Sequence, residues 1–476
     1  MGHPETCSVD SSSVDAKGQQ LERTLTLRGA VTLNLLDMIG VGPFITLPLL
    51  IGAMGGPQAM VGWVLGAVLA GCDGMVWAEL GAAMPEAGGT YAYLEQMYPG
   101  RVGRWLSFLF AFQLLLSAPL SVASGCIGVA MYAGAVVPGL AARGVWVAVG
   151  SVVVAVALQY RRLSGVNRVA RALLVVVLAT IAWTVVTGMW RGEWTRVVAV
   201  TPGAFHLDAG FFAGLASAML IATYDYWGYY NVTFLGGEAR DPGRTIPRAV
   251  LLSIAIVAVL YLALNASVLG VMGSAGLMKA QSEGIRQAML SEFMQMAYAP
   301  SVGVVAAGVI GKIAAVLVMV TAFGSVFSLL LGYSRIPFAA ARDGNFPQVF
   351  GRLHAKGGFP YVSLLTLGGV AAVCCFFSLV HVIAALVVVR IVMQFSLQHV
   401  GVMLLRKRRP EMKRPFRMWL YPLPPIVALA GFAYIVFVRR GSGTDLMIAG
   451  AVVLAGTAVF VVRRMLSKGR HPIHAR

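Results

Sequence analysis

Charge is scarce in this chain. Only 12% of its 476 residues are Asp, Glu, Lys or Arg, about half the share of an ordinary soluble protein. Basic residues outnumber acidic ones by 37 to 19, but they are spread between apolar segments and do not gather on a soluble basic face. That distribution excludes nucleic acid as the partner implied by the net charge of +18. Cysteine is scarce too. Cys7, Cys72, Cys126, Cys374 and Cys375 have no metal-ligand spacing and read as small apolar fillers, so no metal is expected. The chain has no H-E-x-x-H, no G-x-S-x-G and no Walker A sequence, and His381 and His399 stand apart from any catalytic constellation. A membrane-embedded transferase is therefore disfavoured, with no catalytic residue and no cofactor expected. Residues 1–24 lack the apolar core of a signal peptide and read as a disordered cytoplasmic tail.

What the chain has in excess is apolar sequence, 58% of the total, arranged in runs long enough to cross a bilayer. Twelve spans are expected, at 29–52, 58–80, 104–137, 144–160, 168–189, 209–238, 247–272, 301–335, 360–379, 382–405, 421–438 and 445–464. With the N-terminus inside, the inner segments hold 28 of the 37 lysines and arginines and the outer loops hold 7. This bias predicts a multi-pass protein of the cell membrane with both termini cytoplasmic. The basic cluster of Arg406, Lys407, Arg408, Arg409, Lys413, Arg414 and Arg417 needs only that topology and anionic lipid to explain it.

Two spans are irregular. The first holds Asp37-Met38-Ile39-Gly40-Val41-Gly42-Pro43-Phe44 within its apolar run. Pro43 lacks an N–H, and Gly40 and Gly42 lower the cost of unwinding. Backbone freed at that depth must find partners in protein or in a polar cavity, because lipid offers none. The sixth span holds Tyr224-Asp225-Tyr226-Trp227-Gly228-Tyr229-Tyr230, with a carboxylate that is costly at mid-membrane. Spans one and six run in opposite directions, since five separates them. Paired breaks in antiparallel halves are the signature of an inverted-repeat transporter. The expected units are a first repeat over 25–189, a second over 209–405, a further pair of spans over 421–464 and a cytoplasmic tail at 465–476.

Four motifs in order carry a family resemblance. Gly40-Val41-Gly42-Pro43-Phe44 resembles the unwound first helix of the amino acid-polyamine-organocation superfamily. Pro85-Glu86-Ala87-Gly88-Gly89-Thr90-Tyr91 is similar to its motif after span two, and Gly237-Glu238 with Pro242 and Pro247 to its motif after span six. Ser334-Arg335 with Asp343-Gly344 resembles its loop after span eight. The resemblance implies an all-α integral membrane protein of LeuT type, with a 5+5 inverted repeat, 12 transmembrane helices, and helices 1 and 6 broken. It also implies an amino acid or related amine held between the two broken helices. Ile39, Gly40, Val41, Gly42, Pro43 and Phe44 would line it from one side; Tyr224, Asp225, Trp227 and Gly228 from the other. Helix ends suit that solute: N–H groups near Phe44 and Ile45 face its carboxylate, and first-half carbonyls face its ammonium.

Asp37 and Asp225 leave several readings open: ligands for a cationic amino acid or polyamine, carriers of a coupled proton, or structural acceptors. Relatives with amino-acid substrates usually have an uncharged residue where this chain has Asp225, so Asp225 departs from the family pattern. Lys312, counted about 17 Å into span eight, is a candidate for coupling or for pairing with Asp37, Asp225 or Asp73. The coupling ion is H+ or Na+. Thr321 and Ser325 would supply hydroxyls to sodium. Glu86, Tyr91, Tyr93 and Glu238 are candidate gate residues, Arg390 reads as structural, and Gly62 with Gly66 reads as a close helix contact. The function expected is alternating-access transport of an amino acid, by proton coupling or exchange. A non-transporting amine sensor is the alternative class.

Overall fold

The computed structural model describes residues 21–161, 163–200, 202–282, 288–377, 387–439 and 442–468. Most of the two expected tails, and His381, lie outside the described residues. Among those residues the fold is helical, and the only β pairings are the isolated bridges Leu25 to Ala239 and Ala87 to Leu235.

Helix α1 runs Leu27–Met38 and opens on Thr26, whose hydroxyl accepts from the Gly29 N–H. It stops where the sequence loses helix formers. A single tight turn, Gly42–Phe44, follows, and α2 runs Leu47–Met54 at 60° to the first half. Pro48 sits in the first turn of α2, where a missing N–H costs nothing, and Gly55 ends it at φ 75°. The second half-helix therefore begins at Leu47, not at Phe44 and Ile45. The N–H groups of Phe44, Ile45 and Thr46 are already bonded to the Val41 and Gly42 carbonyls.

Then come α3 (Met60–Ala83), α4 (Thr90–Met97), α5 (Gly100–Val136), α6 (Pro138–Ala141), α7 (Gly144–Gln159), α8 (Leu163–Arg191) and α9 (Thr195–Val198). Helix α10 (Ala209–Tyr226) is capped by the Asp208 carboxylate and ends where Trp227 turns extended and Gly228 adopts φ 121°. A short α11 (Asn231–Phe234) completes this second broken element. Beyond it lie α12 (Pro242–Ser282), bent at Gly273, then α13 (Met289–Val302), α14 (Val304–Tyr333), α15 (Arg335–Arg342) and α16 (Tyr361–Cys374). The chain closes with α17 (Val387–Arg408), which is π-helical over Ile391–Ser396, α18 (Leu423–Val438) and α19 (Ser442–Lys468). The short α4 and α13, and α15 at the end of the long apolar stretch Val304–Arg342, have no counterpart of their own among the twelve expected spans.

Seven described helices are long and apolar enough to cross a membrane, and the bent pair makes eight. Helices α7, α16 and α18 are apolar but shorter. The chain is a multi-pass membrane protein. At its centre α1 packs against α8, α12 and α14, while α3 packs against α10 and α12. The α3 contact depends on small residues. A Cβ at Gly62 would lie 2.8 Å from Ala218 Cβ, and one at Gly66 2.9 Å from Ala222 Cβ, closer than real Cβ atoms come. Both breaks are thereby held deep inside the bundle.

Candidate solute-binding site

The two breaks touch. A Cβ at Gly228 would sit 2.7 Å from the Met38 nitrogen and 3.0 Å from Asp37 Cβ, so only glycine allows this approach at this φ. Asn34 ties the halves together: its Nδ2 donates to the Tyr229 carbonyl at 2.6 Å, and its Oδ1 accepts from the Val232 N–H at 3.0 Å. Tyr261 of α12 donates to the Met38 carbonyl at 2.6 Å and to the Asp225 carbonyl at 3.3 Å. Backbone groups freed by the unwinding thus find hydroxyl and amide partners, as mid-membrane backbone must.

Beside this junction is a small cavity of about 130 Å³. Gly40, Val41 and Gly42 line it from the first break; Tyr224, Asp225, Trp227 and Gly228 line it from the second. Asp37 lines it too. Three residues expected there do not. Ile39, Pro43 and Phe44 turn into the core, and the Phe44 carbonyl accepts from Tyr132. Asp225 is buried, with Oδ2 accepting from the Thr46 hydroxyl at 2.5 Å and Oδ1 bonded to no described side chain. A Cβ at Gly42 would meet that free oxygen, so Oδ1 stands directly over the glycine.

Arg390 is the residue sequence reasoning underrated. It is buried, lines the cavity, donates to Ser121 at 3.1 Å and to Ser117 at 3.3 Å, and lies 5.4 Å from the centre of the Tyr333 ring. The cavity therefore holds two carboxylates and one guanidinium. Nothing near Arg390 in sequence signals this role, because its partners come from α5 and α14.

Lys312 does not reach the site. It is exposed on the outer face of α14, so the depth counted along the helix was matched by the wrong face. Asp37, Asp225 and Asp73 are therefore not its partners. Ser325 lines the cavity and donates to the Asp37 carbonyl at 3.2 Å, whereas the Thr321 hydroxyl is spent on the Leu317 carbonyl of its own helix at 2.9 Å.

Away from the cavity, the gate candidates separate. Glu238 forms a buried ion pair with Arg335, Nε to Oε1 at 2.8 Å, and Arg335 also donates to Ser334 and the Leu331 carbonyl. Glu86, by contrast, is exposed and supplies only backbone packing against Gly236. The acidic partner of the basic cluster is Glu79, which is buried and bonded by Arg406 and by the Met418 N–H at 2.9 Å. Tyr91 accepts from Asn345 at 2.6 Å, and Tyr93 packs edge-on against Trp77. Burial pushes the nearby Asp343 carboxyl above its ordinary range, with Tyr91 and Arg342 offsetting part of the rise.

Residues 25–459 match a family profile described as amino acid permease. An uncharacterized transporter of Mycobacterium tuberculosis (strain ATCC 25618 / H37Rv) is 30% identical over 94% of this chain and 93% of its own. The serine/threonine exchanger SteT of Bacillus subtilis (strain 168) is 25% identical over 92% and 95%. The Asc-type amino acid transporter 1 of Mus musculus is 24% identical over 92% and 81%.

Proposed function

Because the chain belongs to the amino acid permease family, we propose that it carries an amino acid across the cell membrane by alternating access, the solute binding where the two broken helices meet. The observation that carries this reading is the cavity that joins both breaks and places Asp225, Asp37 and Arg390 around one volume. A zwitterion presents an ammonium to the carboxylates and a carboxylate to the guanidinium. A polyamine satisfies only the first, and Arg390 repels it, so the polyamine reading loses ground. The family's transporters speak for movement of the solute over mere sensing, and for no enzymatic role. SteT is an exchanger, which supports exchange as one mode for this chain.

The architecture proposed with this function is twelve spans in two inverted repeats over 25–189 and 209–405, with 421–464 outside them and both termini cytoplasmic. The antiparallel breaks and the Lys/Arg bias support it. Helices α7, α16 and α18 then cross the membrane despite their length, at a modest mismatch cost, and α10 with α11 makes the twelfth span.

Counterflow in proteoliposomes tests the reading, with serine, threonine, glutamate, arginine, lysine and putrescine as a panel. Saturable exchange of a neutral amino acid is expected. Replacing Arg390 with Gln, or Asp225 with Asn, is expected to raise the apparent KM roughly ten- to a hundredfold, the loss of one charged hydrogen bond. Silence across the panel returns the protein to the sensor class. Preference for putrescine would make the two aspartates ligands of a polycation.

A further inference from the structure

A second cluster of titratable side chains lies outside the cavity. Asp73 of α3, His399 of α17 and Tyr229 of the second break are all buried, and none of them lines the solute cavity. Tyr229 donates its hydroxyl to Asp73 Oδ2. His399 Nε2 lies 3.1 Å from Asp73 Oδ1, and neither atom is hydrogen-bonded to anything else among the described residues. The other imidazole nitrogen, Nδ1, is 2.6 Å from the Phe395 carbonyl. A carbonyl only accepts, so Nδ1 carries a hydrogen and Nε2 is the position where a proton is gained or lost.

We propose that Asp73 and His399 form the site that carries a proton coupled to solute movement. With a proton on Nε2 or on Oδ1 the pair is neutral overall. Without it, a bare nitrogen lone pair faces an ionised carboxylate in a fully enclosed setting, which is repulsive and leaves one buried charge unbalanced. Cys72 on its own helix and Tyr230 in the break are other ionisable groups that interact with Asp73, and Phe432 of α18 packs edge-on against His399. Further off on α3 and α17, Glu79 is engaged by Arg406, Arg390 donates to two serines, and Lys407 and Arg408 are exposed at the helix end. Among the described residues, Asp73 forms an ion pair with no basic side chain other than His399.

Both partners of Asp73 lead to the solute cavity within a few residues. Tyr229 follows Gly228, which abuts Asp37. His399 holds Phe395, whose ring stacks at 4.7 Å on Trp227, a cavity residue. Phe395 lies in the π-helical stretch of α17, an irregularity common at working sites in helices. A proton entering or leaving the pair thus changes the force between α3 and α17 on both sides of the break. In the transport cycle one N–H or O–H bond forms with a proton from one aqueous face and breaks with release to the other.

This inference rests on the transporter reading, and its test separates the two. Proteoliposomes carrying the whole chain are loaded with the pH dye pyranine. Three quantities are measured: lumenal pH, counterflow of tritiated serine without a gradient, and serine accumulation under an inward-directed gradient of about one pH unit, which supports roughly tenfold accumulation for one coupled proton. Wild-type protein is expected to accumulate serine and to acidify the lumen as it does so. His399→Gln, which keeps polar bonding but not a titrating nitrogen, is expected to exchange serine at the wild-type rate while accumulation and acidification vanish. Tyr229→Phe, the milder change, is expected to retain accumulation with a shifted pH optimum. Wild-type accumulation in His399→Gln overturns the proposal, and so does wild-type exchange that ignores the gradient. Equal loss of exchange and accumulation in His399→Gln marks a structural role and also overturns it. Absence of exchange of any panel compound by wild-type protein instead defeats the transporter reading beneath it.

Discussion

Gly42→Leu is expected to abolish solute binding and uptake while leaving a folded, monodisperse protein. The Cβ alone would meet Asp225 Oδ1 and come within 3.0 Å of its Cγ, and the rest of the leucine would enter the cavity. The atoms it meets first belong to a side chain at the edge of empty space, so the protein can yield locally. Loss of uptake of roughly a hundredfold or more is expected, since a catalytic or binding geometry displaced by about an ångström costs on that scale. Gly62→Leu is the contrasting variant. Its Cβ would meet Ala218 Cβ at 2.8 Å and the Ala218 carbonyl carbon at 3.2 Å, within a packed helix contact. Adding volume there strains the bundle itself. Uptake and thermal stability measured on both proteins decide the matter. If Gly42→Leu unfolds as readily as Gly62→Leu, the first break is structural packing and the cavity assignment falls.

The breaks were legible because they are written in backbone chemistry. Gly40, Gly42, Pro43 and Gly228 change what the main chain can do at their own positions, so no knowledge of neighbours was needed. Side-chain placement was less legible. Helix α14 is apolar on nearly every face, so counting along it gave Lys312 a depth but no direction. Arg390 raised the opposite difficulty. Its serine partners lie some 270 residues earlier, and only folding shows that a buried guanidinium shares a cavity with two carboxylates. Glu79 and Glu86 illustrate the same limit at closer range. Both sit near the end of α3, and a loop motif drew attention to Glu86, but the chain buries Glu79 and sets Arg406 upon it.

In the sequence Asp73 stands only as a conceivable partner for Lys312, and His399 only as an isolated ring. Their meeting depends on α3 and α17 lying side by side, more than three hundred residues apart in sequence. Periodicity carries no trace of that. A buried polar residue in an apolar run signals that it has a partner; it does not identify which one.

The Glu238–Arg335 pair sets the second large expectation, because it joins the motif after the sixth expected span to the motif after the eighth. Glu238 receives the Leu25 N–H on its carbonyl at 2.8 Å while its carboxylate holds Arg335, so the N-terminal segment, the end of the second break and α15 meet at one residue. The pair is almost fully enclosed, and removing one member leaves the other charge buried without compensation. Glu238→Gln and Arg335→Met are each expected to cost about 3–5 kcal/mol. At roughly 2 cal/mol/K of unfolding entropy per residue, that is a fall of about 3–5 °C in apparent Tm. The double variant is expected to lose less than the sum of the two, because it leaves no orphaned charge. Additive losses would mean that the two side chains act separately. Transport refines the result. A pair that only braces the fold lets the double variant recover uptake together with stability, whereas a pair that closes one side of the path leaves it stable and still slow.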